Sequence, residues 1–298
     1  MVLESILTAE GVKKNPKSTF VLGIIYVAIA ILVGYSIFPT DPSLAIIFLT
    51  TLAALPFLIN VLYSEEEETM GFLKSNKPLP LIGTHVDVFL VFTYMFMGFL
   101  VCFLAVYIFS PHSINTMIFS EQIETIQSIL GTGFVTGNVI KGTAMQTAAN
   151  VEEGLKIILF NNIKVLMFSL LFSFLYGAGA IFILAWNASI LAVAMGNLIK
   201  EKISQFGSLA GASLVAAYFQ AGSFSVVRYF IHGIPEISAY FLGAVAGGII
   251  SAAVVNRDYR NPKFYEVLMD SVDLIALALL LLIIGSILEV AVTPMLIS

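Results

Sequence analysis

A histidine and a glutamate stand four residues apart in His232-Gly233-Ile234-Pro235-Glu236, between two long apolar runs. Upstream, Gly207 to Ile231 carries Arg228 as its only charge, and Ile237 to Val255 downstream carries none. Such a pair could share a proton or ligate a metal, because ionisable groups inside a bilayer are costly unless paired, solvated or used. A second carboxylate, Glu289, follows the apolar run Leu279 to Ile284. Carboxylates are the usual membrane ligands for protons and hard cations. Asn161, Asn162 and Asn187 interrupt other apolar stretches, and each could coordinate an ion or bond to a neighbouring helix.

Each candidate has a structural reading beside the chemical one. Pro235 is placed to open a helix, where its missing N–H costs nothing. Glu236 would then sit in a first turn, favoured by the helix dipole, with His232 or Arg228 as partner. Zinc wants three or four protein ligands. The other histidines, His85 and His112, lie far off in loops, so no metal is expected. Glu289 lies close to Pro294, and a place at the membrane edge suits it as well as one in the interior. For the asparagines the inter-helix bond is the preferred reading.

Catalysis finds no support. Ser213 in Gly211-Ala212-Ser213-Leu214 lacks the glycine that would follow a protease nucleophile, and no His-Glu-x-x-His occurs. A nucleophile, a base and an orienting group cannot be assembled. Gly131, Gly133, Gly137 and Gly142 sit in a polar run without the Gly-Lys-Ser/Thr of a phosphate loop. Cys102 is the single cysteine, which excludes an intrachain disulfide and reads as a buried hydrophobe. The chain is therefore expected to be neither an enzyme nor a cofactor carrier.

The elements that must position these residues are membrane helices. Hydrophobic residues are 59% of the 298 and charged residues 11%, with mean hydropathy +0.98. A soluble domain carries about 25% charged residues. The net charge is −5 and the basic residues are scattered, so nucleic acid is excluded as a partner. The expected class is all-α: a polytopic transmembrane bundle of about seven spans, with a half-helix or re-entrant segment. The spans are Thr19–Phe38, Ser43–Tyr63, Val86–Phe109, Asn161–Leu184, Ser208–Ile231, Ile234–Val255 and Val272–Thr293. Trp186–Ile199 is too short to cross alone and is taken as the half-helix. The alternative for 159–199 is a hairpin of two short spans broken near Gly177 and Gly179.

Basic clusters favour the first choice. Lys13, Lys14 and Lys17 place the N-terminus in the cytoplasm of a multi-pass cell-membrane protein. Lys74 and Lys77, Lys200 and Lys202, and Arg257, Arg260 and Lys263 then fall on that same side. The chain reads as a single membrane domain over 1–298, with a three-span part at 19–109, an extramembrane cap at 110–160 and a core at 161–294. In the cap, Ile123, Ile126 and Leu130 share one face of an amphipathic helix. Glu65 to Glu68 is read as a solvated acidic face. Gly207-x3-Gly211 and Ala239, Gly243 and Gly247 mark helix-packing faces, which also suit a homo-oligomer, a dimer above all.

His232-Gly233-Ile234-Pro235-Glu236-Ile237-Ser238-Ala239, followed by Gly243-Ala244-Val245-Ala246-Gly247, resembles the signature of the stage II sporulation protein M family. Asn161-Asn162 with Gly177 and Asn187, and Glu289-Val290-Ala291-Val292-Thr293-Pro294, resemble two further segments of that family. Phe48 to Phe57, Glu65 to Glu68 and Phe119 to Ile123 resemble archaeal members in particular. The resemblance implies an α-helical integral membrane protein without known enzymatic activity, with a scaffold or membrane-organising role. Sporulating bacterial members act in a membrane complex that directs cell-wall hydrolases during engulfment, so membrane-protein partners are implied. The rival reading is a channel or secondary transporter using the intramembrane Glu, His and Asn residues.

Overall fold

In hydrocarbon every backbone N–H and C=O must find its partner within the protein, which leaves long apolar runs little choice but the helix. A computed structural model describes residues 9–74, 86–130, 151–176, 179–206, 210–255 and 264–296. The helices are α1 (Ala9–Lys14), α2 (Ser18–Ile37), α3 (Pro42–Lys74), α4 (Val86–Phe109), α5 (His112–Ile118), α6 (Ser120–Leu130), α7 (Val151–Tyr176), α8 (Gly179–Gln205), α9 (Ala212–Val255) and α10 (Phe264–Ile287). A π-helical turn, Leu288–Val292, and a 3₁₀ turn, Thr293–Leu296, close the described chain. No strand occurs among the described residues. Seven helices (α2, α3, α4, α7, α8, α9 and α10) are long and apolar enough to cross a bilayer.

The number of spans agrees with the sequence reading, but the division of the chain does not. Trp186–Ile199 is no half-helix. It lies inside α8, whose 27 residues suffice to cross. The run 159–199 is thus two helices, α7 and α8. Ser208–Ile231 and Ile234–Val255, in turn, are one helix of 44 residues, about 66 Å long. Pro235 sits inside it rather than at its start, as Pro56 sits inside α3. Proline removes one hydrogen bond, yet a helix packed on both sides of the proline continues, because leaving more backbone unpaired in lipid would cost more. The two changes cancel in the count.

The revised division moves one basic cluster. Thr19 Oγ1 donates to Val91 O at 3.1 Å, so α2 and α4 begin at the same end of the bundle. Lys200 Nζ lies 3.4 Å from Ser110 O, beyond the other end of α4. Lys200 and Lys202 therefore lie opposite Lys17, not beside it. Their charges rest over the rings of Tyr107 and Phe224, each 4.9 Å from the ring centroid, which lowers the cost of that placement.

The cap is partly as expected. Ile126 is buried and Ile123 packs on the core, so one face of α6 does cover the bundle. Gln122 is buried too, and its Oε1 accepts from Ser43 Oγ at 2.8 Å, tying α6 to the start of α3. The cap ends earlier than expected, because α7 starts at Val151 and carries Asn161 and Asn162 in its interior. The glycines at 131–142, Gly177 and Gly207 lie outside the described residues, as do Lys77, Arg257, Arg260 and Lys263. Gly211 serves no packing face. It takes φ +60° just before α9, with open space where a Cβ would be.

Candidate functional site

The site lies where α7, α9 and α10 meet. Helices α7 and α9 run parallel, and polar rungs join them. Ser169 Oγ donates to Tyr240 O at 3.0 Å, and Ser173 Oγ to Ala244 O at 2.6 Å. The rungs are possible because α9 presents Ala239, Gly243 and Gly247 at four-residue spacing, with Ala239 fully buried. A Cβ on Gly247 would come within 2.5 Å of Leu170 O, and one on Gly243 within 2.5 Å of the Leu166 side chain. Both glycines are occupied by α7 of the same chain.

One turn further along the seam stands the polar centre. Asn162 is buried and donates from Nδ2 to Glu236 Oε1 at 2.7 Å. Its Oδ1 accepts from the Tyr240 hydroxyl at 2.9 Å. One asparagine thus bridges a carboxylate and a phenol, four residues apart on α9. From the other side comes α10. A Cβ on Gly285 would meet Glu236 Cγ at 2.6 Å and His232 O at 3.3 Å, so glycine is what lets this helix approach. Glu289 follows one turn after Gly285, in the π-helical turn. π-turns are rare and often found at functional sites. His232 Nδ1 is 3.2 Å from Thr293 Oγ1, and that hydroxyl also reaches Leu288 O at 3.2 Å.

The expected first-turn cap for Glu236 is not formed. Glu236 sits in mid-helix, where its own backbone neighbours are already bonded, and Asn162 from another helix supplies the partner instead. His232 pairs with Thr293 rather than with Glu236. Arg228 lies over the Tyr229 ring, 5.7 Å from its centroid, and makes no ion pair with either carboxylate among the described residues. Asn161 is exposed on the far side of α7 and joins nothing in the centre. Asn187 donates to Ile183 O of its own helix at 2.7 Å, not to a neighbour. It also lines a small cavity with Ser169, Ile237 and Tyr240. Among the described residues no three His, Cys, Asp or Glu side chains form a metal-holding group.

Sequence reasoning passes over Tyr240 and Gly285, and takes Thr293 only as part of a family-like segment and not as a partner of the site. Each is four residues from a singled-out carboxylate, so the i, i+4 rule applied to Glu236 and Glu289 would find all three. Ser169 and Ser173 carry no such mark, since serines scattered in an apolar helix have no distinctive spacing.

A family model, stage II sporulation protein M, matches residues 88–294 and so takes in every residue of this centre. No curated protein and no solved structure matches the chain. With more than half its length matched, this multi-pass, all-helical chain belongs to the stage II sporulation protein M family.

Proposed function

We propose that the protein is a non-enzymatic membrane scaffold that organises other membrane components. The observation that carries this reading is how the intramembrane polar groups are used. Tyr240, Asn162 and Glu236 form a chain of hydrogen bonds, Ser169 and Ser173 bond to facing backbone, and His232 pairs with Thr293. These are bonds between helices or between α9 and the closing turn, as expected of polar glue in a bundle. Ser213 is exposed and donates to Ala210 O, which supports a chain without a serine nucleophile. Lys13, Lys14 and Lys17 favour a cytoplasmic N-terminus. The archaeal-like segments favour a task other than engulfment. A dimer is compatible with this role but draws no support from Gly243 and Gly247, whose neighbours lie within the chain.

A channel or secondary transporter is the second reading, favoured by two intramembrane carboxylates on adjoining elements, Glu236 against Gly285 of α10 and Glu289 in the π-turn that follows it. Flux of Na⁺, K⁺ and H⁺ in liposomes carrying the purified protein separates the two. The scaffold reading expects no flux above empty liposomes. Flux that is lost in a Glu236→Gln, Glu289→Gln double variant would overturn it in favour of transport.

A further inference from the structure

Helix α7 bonds its polar residues on one side and leaves them unanswered on the other. Asn162, Ser169 and Ser173 face α9 and are hydrogen-bonded there. Asn161 and Lys164, three residues apart and so neighbours on one face, are exposed on the outer side. Neither makes a hydrogen bond or an ion pair among the described residues. The rest of that side is apolar, with Phe160, Met167 and Phe168 exposed.

Lys164 is the middle residue of the membrane-crossing stretch Gly154–Phe174. About 15 Å of helix separates it from either end. Lys156, two turns nearer the start of α7, is answered by Glu152 at 2.5 Å. Lysines near a helix end carry their charge to the interface, but a four-carbon stem does not reach it from the centre. The Lys164 ammonium lies 4.5 Å from the centroid of the Phe160 ring, which eases the charge without neutralising it. Ionisable groups at this depth pair with one another or face a protein interior. Among the described residues Lys164 does neither, so this face is incomplete in the single chain.

Charge complementarity names what completes it. Within hydrocarbon the available anion is a carboxylate of another helix, since lipid phosphates lie at the headgroup level. An ammonium and an amide NH₂ side by side are both donors, and a carboxylate has two oxygens to accept from them. A second copy docking through the same face about a two-fold axis would set lysine against lysine. We propose that the outer face of α7 docks a helix of another membrane protein that carries an aspartate or glutamate in its span, the carboxylate accepting from Lys164 Nζ and Asn161 Nδ2. The adjacent asparagines then serve carboxylates on opposite sides of α7, Asn162 that of Glu236 and Asn161 that of the partner. This names the partner chemistry of the scaffold reading and rests on that reading for there being a partner. Its test reads association and not flux, so it can fail while that reading stands.

The test is resonance energy transfer in phosphatidylcholine vesicles between the full chain, bearing a fluorescent protein at its C-terminus, and a dye-labelled, leucine-rich single-span peptide. Peptides with Glu, Leu or Lys at their centre are compared. The expected result is association with the Glu peptide about tenfold tighter than with the Leu peptide, the size of one or two inter-helix bonds. Lys164→Leu loses this preference, and Lys164→Glu transfers it to the Lys peptide. Both variants keep the size-exclusion profile of the wild type, because the side chain is exposed. Equal association of the Glu and Leu peptides with the wild type would overturn the proposal, and so would a preference undiminished in Lys164→Leu. Transfer between two copies of the chain that is lost in Lys164→Leu would overturn it in favour of a second copy as the occupant.

Discussion

Helices α2 to α4 and helices α7, α9 and α10 solve the same packing problem differently. In the first group the approach is close and mostly apolar, with one buried inter-helix hydrogen bond, from Thr19 Oγ1 to Val91 O. Gly23 of α2 and Gly98 of α4 face each other, a Cβ on Gly23 reaching Met95 O at 2.6 Å, with Phe92, Met95 and Phe99 buried alongside. In the second group the close approach of Gly243 and Gly247 is accompanied by hydrogen bonds along the same seam. Lipid is as apolar as leucine, so burying leucine gives helices in a bilayer no hydrophobic reason to associate. Dispersion in tight contacts serves both groups. The second adds more direction, because a row of hydrogen bonds fixes the rotation and height of one helix against the next where the first group has a single one.

The comparison can be broken most severely at its shared element. Gly247→Leu and Gly98→Leu should each abolish the folded species on size-exclusion chromatography, since backbone of the facing helix blocks the new side chain. Survival of either variant with an unchanged profile would remove close packing from that group. Next in size is Asn162→Leu, which strips a partner from Glu236 and from Tyr240 together. It should cost about 1–3 kcal/mol in reversible unfolding. Ser173→Ala should cost about 0.6 kcal/mol, the usual size of one inter-helix bond in a membrane protein. The smallest effect sharpens the contrast. Asn161→Leu, on the exposed side of the same helix, should stay within about 0.5 kcal/mol of wild type.

The helical class and the number of spans are legible because apolar length alone decides them. Where the spans divide is not. Pro235 carries the marks of a helix start, and only the packing of α9 against α7 and α10 shows that the helix runs through it. Trp186 to Ile199 reads as too short because the residues before it are assigned to a span ending at Leu184, whereas one helix, Gly179–Gln205, takes in both, with the Asn187 amide bonded back to Ile183 O. The basic clusters then argue for the wrong division, since Lys200 and Lys202 are held by aromatic rings at the other end of the bundle. Glu236, Glu289 and Asn162 stand out by their chemistry in apolar surroundings. Which of them touch is beyond reach, because the small-residue spacing on α9 marks a packing face without saying which helix fills it or at what height.

The central claim is that a directional polar seam, not apolar contact alone, fixes α7 against α9. A double-mutant cycle on Asn162→Ala and Glu236→Ala, read by unfolding of the full chain in detergent, tests it most directly. The seam expects a coupling of about 1 kcal/mol, favourable to the intact pair. Additive effects, with coupling below about 0.3 kcal/mol, would mean that the two residues do not act together and would contradict the account.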